Sequence, residues 1–526
     1  MRLAVVFLGA AAIGVVLVSP LTGLFPVVRL SAVLAPCLLV GTLAARPFRW
    51  TAPDWEAIVN WQPSRRDVLI GAVATGLLLF WIVLTRFLSG EINGVDFTIY
   101  FDRPLYQTAQ GRPLFVETTD DPRFAQLTHF AVHAYWLLLP LSALYLLHAT
   151  PIWLLALTAV APVIGAVHVL RIGQRLGFGG LLASATAIAF LFNDNTARAL
   201  NYGFHPEILY CWFVPWLLDA GLRRARRSFA LAMVLCVMVK EDAIFPLLAS
   251  SIALALVTGR SYSIHERLFF LVAPPALALA NLAIYYAVVV PALAPDGTVM
   301  YSYFWENYGS TPIAALGGML AQPWRVAASV FTSGLFRHVL LPYLFLPLIG
   351  WRWSVGTLPL VLIYSAAAAE QVRDFGIYYS IVLVPFYTIA AGQGAFSIAR
   401  RAGSPTIATA GFAVLIVAGA ITIGNGYSLR PWKPQIAAMS EAIDALRDER
   451  IVLVQSGLYP HAGYDARVKI LTYATVNDPA HEGAAVLLAP GVSAYPFARA
   501  EWEALLQLPQ FSAVPEGMVA VRLIRP

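Results

Sequence analysis

From its first residues to Ile423 the chain passes through one apolar stretch after another, and arginine marks many of the breaks between them. The stretches lie at 3–18, 27–45, 68–88, 151–170, 179–193, 208–221, 228–239, 243–257, 268–292, 340–350, 356–369, 377–398 and 406–423. A helix that crosses a bilayer needs about 20 mainly apolar residues. Several of these stretches are short, which leaves their boundaries soft, but their succession predicts a polytopic α-helical membrane protein with about 13 transmembrane helices. Composition agrees. Of 526 residues 59% are apolar, and 35 Lys+Arg with 29 Asp+Glu make only 12% charged, against about 25% in soluble proteins. Too few charges exist to cover a water-soluble enzyme of this size. Cys37, Cys211 and Cys236 all lie in apolar runs, so no disulfide scaffold is indicated.

Basic residues orient the spans, because cytoplasmic loops are enriched in Arg and Lys. Arg46, Arg49, Arg65 and Arg66 form one cytoplasmic linker, and Arg171/Arg175, Arg223/Arg224/Arg226/Arg227, Arg260/Arg267, Arg352 and Arg400/Arg401 mark later cytoplasmic loops. The run at 3–18 reads as a span, since no small-residue cleavage site follows it. The apolar segment 131–148 contains His133 and Pro140. It reads as a helix lying at the interface, because a crossing there would move the following Arg clusters outside. With the N-terminus inside, the outer face collects 89–130, 194–207, 240–242, 295–338, 370–376 and the tail from residue 425.

Three parts follow: a two-helix hairpin and cytoplasmic linker (1–67), a transmembrane module with an outer loop at 89–130 (68–424), and a small extracytoplasmic α/β domain (425–526). In the tail, 19 of the 97 residues from 430 onward are charged, against 45 in the preceding 429. Helices at 434–450 and 497–508 alternate with strands at 451–455, 484–488 and 518–524. The net charge of +6 reflects topological arginines and does not suggest nucleic acid.

Charges near membrane depth are costly and tend to be functional. Asp96 follows an outer span end, with Asp102 close behind. A carboxylate there can accept a proton from a hydroxyl or bind a metal; as a bland alternative it is a loop acid. Next come His205 and Glu207 in Phe204-His205-Pro206-Glu207. Pro206 and Glu207 suit a helix start, which leaves His205 unexplained. Lys240-Glu241-Asp242 holds the lone lysine of the membrane body. Three consecutive charges cannot share one helix face, so a break is expected, and Pro246 supports it. Such a turn could present Lys240 to an anionic phosphate. Asp96, His205, Glu207 and Asp242 are also candidate ligands for a divalent metal ion.

Weaker candidates are His129, His133, Arg198, Tyr303, Glu306, Arg325, Arg373 and Asp374. Arg373-Asp374 reads as a local ion pair, the aromatic run 301–305 as an interface belt, and His461 and His481 as surface residues. No HExxH, CxxC, P-loop or GxSxG pattern occurs.

The clusters also carry a resemblance. Asp96-Phe-Thr-Ile-Tyr100 with Gly111, His129-Phe130, Phe204-His205-Pro206-Glu207, Lys240-Glu241-Asp242 and Tyr378-Tyr379-Ser380 with Pro385 follow one another. This order resembles a bacterial family of predicted membrane proteins with F-D-L-G, F-H-P-E and K-E-D motifs, across about residues 68–525. The layout is in turn similar to the GT-C glycosyltransferases, among them protein O-mannosyltransferases and the lipid A aminoarabinose transferase.

The resemblance implies a bacterial inner (plasma) membrane location and a polyprenyl-phosphate-linked sugar as donor. It implies an envelope acceptor, with Asp96 as general base. Lys240, with Arg198 or Arg325, would neutralise the lipid phosphate. His205, Glu207, Glu241, Asp242, Asp102 and His129 would line the substrate or a divalent metal ion. Here Val-Asp-Phe-Thr replaces Phe-Asp-Leu-Gly, Asp102 stands where the family more often has an amide, and two extra spans precede the module. A transporter or flippase of a lipid-linked or small polar substrate is the rival expectation, and a non-catalytic scaffold is a third.

Overall fold

The computed structural model describes residues 55–119, 121–423 and 426–524. The hairpin expected at 3–18 and 27–45, with Arg46 and Arg49, lies outside the described residues. Among the described residues four helices are long and apolar enough to cross a membrane: Arg65–Leu88 (α1), Ile152–Arg175 (α2), Glu241–Ser261 and Ile264–Leu293. Helix α1 starts at a capping box between Ser64 and Asp67. Its Leu69, Ile70, Val73 and Leu77 stay more than half exposed. An apolar face of that size left open on a 24-residue helix is suited to lipid rather than water.

Shorter helices fill the bundle: Gly179–Phe192 (α3), Asp194–Tyr202 (α4), Tyr210–Leu222 (α5), Arg226–Val239 (α6), Val384–Ala399 (α7) and Pro405–Thr422 (α8). Helix α2 is the hub, packed against α1, α3 and α5. Its contact with α5 depends on a small residue, since a Cβ on Gly165 would lie 1.8 Å from the Cys211 carbonyl oxygen. Such close backbone approach is how helices associate where no hydrophobic drive separates lipid from side chain. At the far end of α2, fully buried Asp219 binds Arg175 (2.9 Å), His168 (3.1 Å) and Arg223 (3.3 Å). These arginines therefore hold the bundle together as well as marking a loop.

Two segments of the membrane body differ from expectation. Residues 340–350 do not form one span. They break into the turns Leu335–Leu340, Leu341–Tyr343 and Leu346–Leu348, with Leu344 and Phe345 left-handed. Pro342 and Pro347 interrupt the helical hydrogen-bond ladder there. The expected interface helix at 131–148 is reduced to Leu138–Leu141 and Ala143–Leu147. Its first half cannot coil, because the Ala134 amide is taken by the Glu241 carboxylate (2.9 Å) and the Leu137 amide by the Met238 carbonyl (2.9 Å). Leu146 and Leu147 remain 70% and 77% exposed.

The loop at 89–130 carries a two-stranded ribbon, Phe115–Val116 (β1) with Leu127–Thr128 (β2). The tail forms a five-stranded mixed sheet from Val452–Val454 (β3), Val468–Ile470 (β4), Ala485–Leu488 (β5), Gln510–Ser512 (β6) and Val519–Arg522 (β7). Its order is β4-β3-β5-β7-β6, with β4, β3 and β5 parallel and β7 antiparallel to both neighbours. Alternation decides its faces. Leu453, Val486, Leu488 and Val521 pack beneath helix Arg499–Leu506, whereas Val452, Val454, Ala485 and Leu487 join the core of the membrane body. The helix expected at 434–450 is two short pieces, Pro434–Ala437 and Met439–Ala445.

Candidate functional site

Three sequence clusters meet at the end of the bundle that faces the loop at 89–130 and the tail sheet. The chain leaves helical geometry at Lys240 (φ −166°, ψ 161°) between α6 and the turn Glu241–Ala243. This is the break demanded by three consecutive charges, and it sends them to different partners. Lys240 Nζ lies 2.7 Å from Glu207 Oε1. Glu241 receives His133 Nδ1 at 2.7 Å, and Asp242 accepts from the Tyr210 hydroxyl at 2.9 Å.

Glu207 is the hub. Besides Lys240, its Oε1 accepts from the Tyr135 hydroxyl (3.2 Å), and its Oε2 lies 2.7 Å from His205 Nδ1. Pro206 and Glu207 do open a helical turn, Pro206–Leu209, that runs into α5, and Glu207 is in addition held in an ion network. The His205 ring stacks on Tyr378 with centroids 3.6 Å apart, and Tyr378 packs against Tyr202. The Tyr202 hydroxyl donates to Asp96, which also receives Asn93 Nδ2 at 3.1 Å. An unbroken run of contacts therefore joins Asp96 to Lys240. Burial pushes the Asp96 carboxyl above its ordinary range, while the His205 charge and the Tyr202 hydrogen bond pull it back.

Asp102 belongs to a neighbouring cluster. The Tyr145 hydroxyl (2.7 Å) and the Tyr464 hydroxyl (2.9 Å) both donate to its Oδ1. Arg103 beside it binds Glu117 (2.7 Å) and the Gly463 carbonyl (3.0 Å). Burial raises the Asp102 carboxyl to about 6 despite those hydroxyls and Arg103. With an unfolded value of about 3.9, the folded state holds the extra proton between roughly pH 4 and 6. Stability from this group therefore falls as pH rises through that window, by on the order of 2–3 kcal/mol. Asp102→Asn keeps an acceptor for both tyrosines. It should raise the detergent thermal midpoint at pH 8 and gain little at pH 4.5; equal gains at both pH values would refute this titration.

Buried His129 is packed among Tyr100, Phe101 and Tyr135 and is pushed toward its neutral form by burial. Arg198 pairs with Asp194 (3.0 Å) and bonds Asn195 (2.9 Å). Arg325 sits on the exposed helix Pro323–Thr332 over Tyr308. Arg373 and Asp374 approach to 4.0 Å, as a local pair, and Tyr303 and Glu306 are exposed. Tyr301 departs from the belt reading by stacking on His133. His481 is not a surface residue: it is buried against the Thr475 carbonyl (2.8 Å). His461 is half-buried and packs on Phe87.

Among the described residues no group of three or more His, Cys, Asp or Glu is arranged to hold a metal ion. The set Asp96, His205, Glu207 and Asp242 does not form one, because protein donors take up the oxygens of Glu207 and one oxygen each of Asp96 and Asp242. Sequence reasoning missed Asn93, Tyr135, Tyr202 and Tyr210. Tyrosines at span ends carry no signal that separates them from an interface belt.

Long lipid-facing helices and a charged network gathered at one end define a polytopic membrane protein with a buried polar centre. The chain belongs to the family described as "Predicted membrane protein (DUF2079)", whose pattern matches residues 91–478. No curated protein matches it. Solved structures with similarity to it include ArnT from Cupriavidus metallidurans bound to undecaprenyl phosphate. That comparison has 12% identity and a TM-score of 0.46, over 88% of this chain and 100% of that one. The apo state of ArnT gives 14% identity and a TM-score of 0.43 over 87% and 99%.

Proposed function

We propose that the protein is a GT-C-type membrane glycosyltransferase that moves a sugar from a polyprenyl-phosphate donor to an acceptor hydroxyl on the extracytoplasmic face. The convergence of Asp96, His205 and Lys240 on one contact network carries this reading. Asp96 is the general base. Tyr202 and Asn93 both donate to its Oδ2, which leaves Oδ1 to take the acceptor proton. The acceptor oxygen then forms its bond to the anomeric carbon, the bond from that carbon to the phosphate oxygen breaks, and the electron pair leaves with the lipid phosphate. Lys240 has N–H donors beyond the one that Glu207 accepts, and these stabilise the leaving phosphate. Glu207, anchored by His205 and Tyr135, holds Lys240 in place. Asp242 and Glu241 orient the sugar. Arg198 and Arg325 take no part.

Membranes containing the full chain should transfer label from undecaprenyl-phosphate-linked radiolabelled hexoses to an envelope acceptor, and membranes lacking it should not. Export of the intact lipid-linked sugar without bond cleavage would favour a flippase instead.

A further inference from the structure

The outer loop and the tail sheet meet backbone to backbone. A Cβ on Gly94 would lie 2.3 Å from the Ser456 carbonyl oxygen, and one on Gly457 would lie 2.4 Å from the Gly90 carbonyl oxygen. No side chain larger than hydrogen fits at either place, so the seam has a fixed register. Its location is informative. Ser456 lies two residues beyond β3, at the carboxyl end of the parallel strands, the edge where open α/β sheets place ligands. Here the chain's own outer loop occupies that edge.

Ser456 is fully buried in the seam. Its Oγ accepts from the Gly94 amide at 3.2 Å and donates to Asn93 Oδ1 at 3.2 Å. Asn93 Oδ1 also accepts from the Val95 amide at 2.9 Å. With two donors on that oxygen, the Asn93 amide has one satisfied orientation, and in it Nδ2 points at Asp96 Oδ2, 3.1 Å away. The turn that presents Ser456 is itself pinned. Gln455 Nε2 donates to the Val492 (2.9 Å) and Ser493 (3.0 Å) carbonyls, and its Oε1 accepts from the Ala489 amide (2.7 Å).

We propose that Ser456 is a positioning residue for Asp96, acting through the Asn93 amide, so that the tail domain completes the active centre. This rests on Asp96 being the base. The relay fixes which carboxylate oxygen is engaged and which is free, across a sequence separation of 363 residues between Ser456 and Asn93. An amide that donates to a carboxylate also favours its charged form.

Two measurements on the full chain test it. In the radiolabelled-hexose assay, Ser456→Ala should lower turnover by ~10-fold with KM for the lipid donor unchanged, because one buried hydroxyl that orients a charge-assisted bond is lost. Ser456→Thr should restore most of the rate. In an Asp96→Asn background Ser456→Ala should add nothing, whereas a merely structural role would give additive losses. The second measurement needs no substrate. Dicyclohexylcarbodiimide attacks protonated carboxyl groups, and its labelling of Asp96 at neutral pH is read by peptide mass spectrometry. Ser456→Ala should raise the labelling rate ~3-fold or more as the charged form loses its amide donor, and Ser456→Thr should return it to the wild-type rate. Asn93→Ala, which leaves the glycine seam alone, should raise it likewise. Labelling unchanged in both folded Ser456→Ala and Asn93→Ala protein would overturn the proposal. If wild type transfers no hexose but the labelling shifts as described, the transferase reading falls and the positioning role stands.

Discussion

Asp96→Asn should reduce sugar transfer by ~100- to 10,000-fold, the range a positioned general base contributes, while leaving the protein folded. The substitution is nearly isosteric, and its side-chain oxygen still accepts from the Tyr202 hydroxyl. Only the capacity to take a proton is lost. Initial rates at saturating donor isolate that step, and a thermal midpoint within a few degrees of wild type shows that the loss is chemical. Wild type should also show an acid limb. Burial raises the Asp96 carboxyl above the ordinary carboxylate range, and a base works only when deprotonated. The rate should therefore fall as pH drops through a midpoint above that of an exposed aspartate. Asp96→Glu should keep part of the activity with a displaced acceptor KM. Undiminished transfer by Asp96→Asn would remove Asp96 from the chemistry.

Much of this centre was legible in the chain itself, for a definable reason. In a sequence so poor in charge, Asp96, His205, Glu207 and Lys240-Glu241-Asp242 stand out because a charge near lipid requires a partner. The break at Lys240 followed from helical geometry alone, and the strands at 452–454, 485–488 and 519–522 lie within the strand-like runs 451–455, 484–488 and 518–524. The partners themselves were not legible. Tyr202 meets Asp96 across 106 residues and His133 meets Glu241 across 108, and no local pattern encodes such pairings. Arg198 is another such case: its pairing with Asp194 one turn earlier was not read from the sequence. The short strands β4 and β6 were missed because Lys469 in one, and Gln510 and Ser512 in the other, leave no apolar run to mark them. At 340–350 Pro342 and Pro347 outweigh the apolar character of the segment.

Single substitutions that break the Lys240–Glu207 pair should be more damaging to the protein than Asp96→Asn, because they strand a buried charge. The Glu207 and Lys240 side chains are 4% and 12% exposed. Removing one member of such a pair costs about 3–5 kcal/mol, a large share of the 5–15 kcal/mol that holds a typical domain folded. Lys240→Met leaves Glu207 facing Asp242 and Glu241 without a fixed cation, and Glu207→Gln leaves Lys240 without its nearest anion. Both should sharply reduce the monodisperse protein recovered from membranes, read by fluorescence-detected size exclusion on a tagged full chain. The double variant Lys240→Met/Glu207→Gln removes both charges and keeps an acceptor for Tyr135, so it should recover much of that yield. A coupling of ~2 kcal/mol between the two sites is expected for partners in direct contact. Its transfer activity should nonetheless stay near background, since no ammonium remains to meet the leaving phosphate. Recovery of fold without recovery of turnover would separate the pair's structural role from its chemical one. If each single variant accumulates like wild type, water reaches the pair and the site is more open than its burial implies. If the double variant regains transfer, the phosphate is neutralised by another group and the role assigned to Lys240 is wrong.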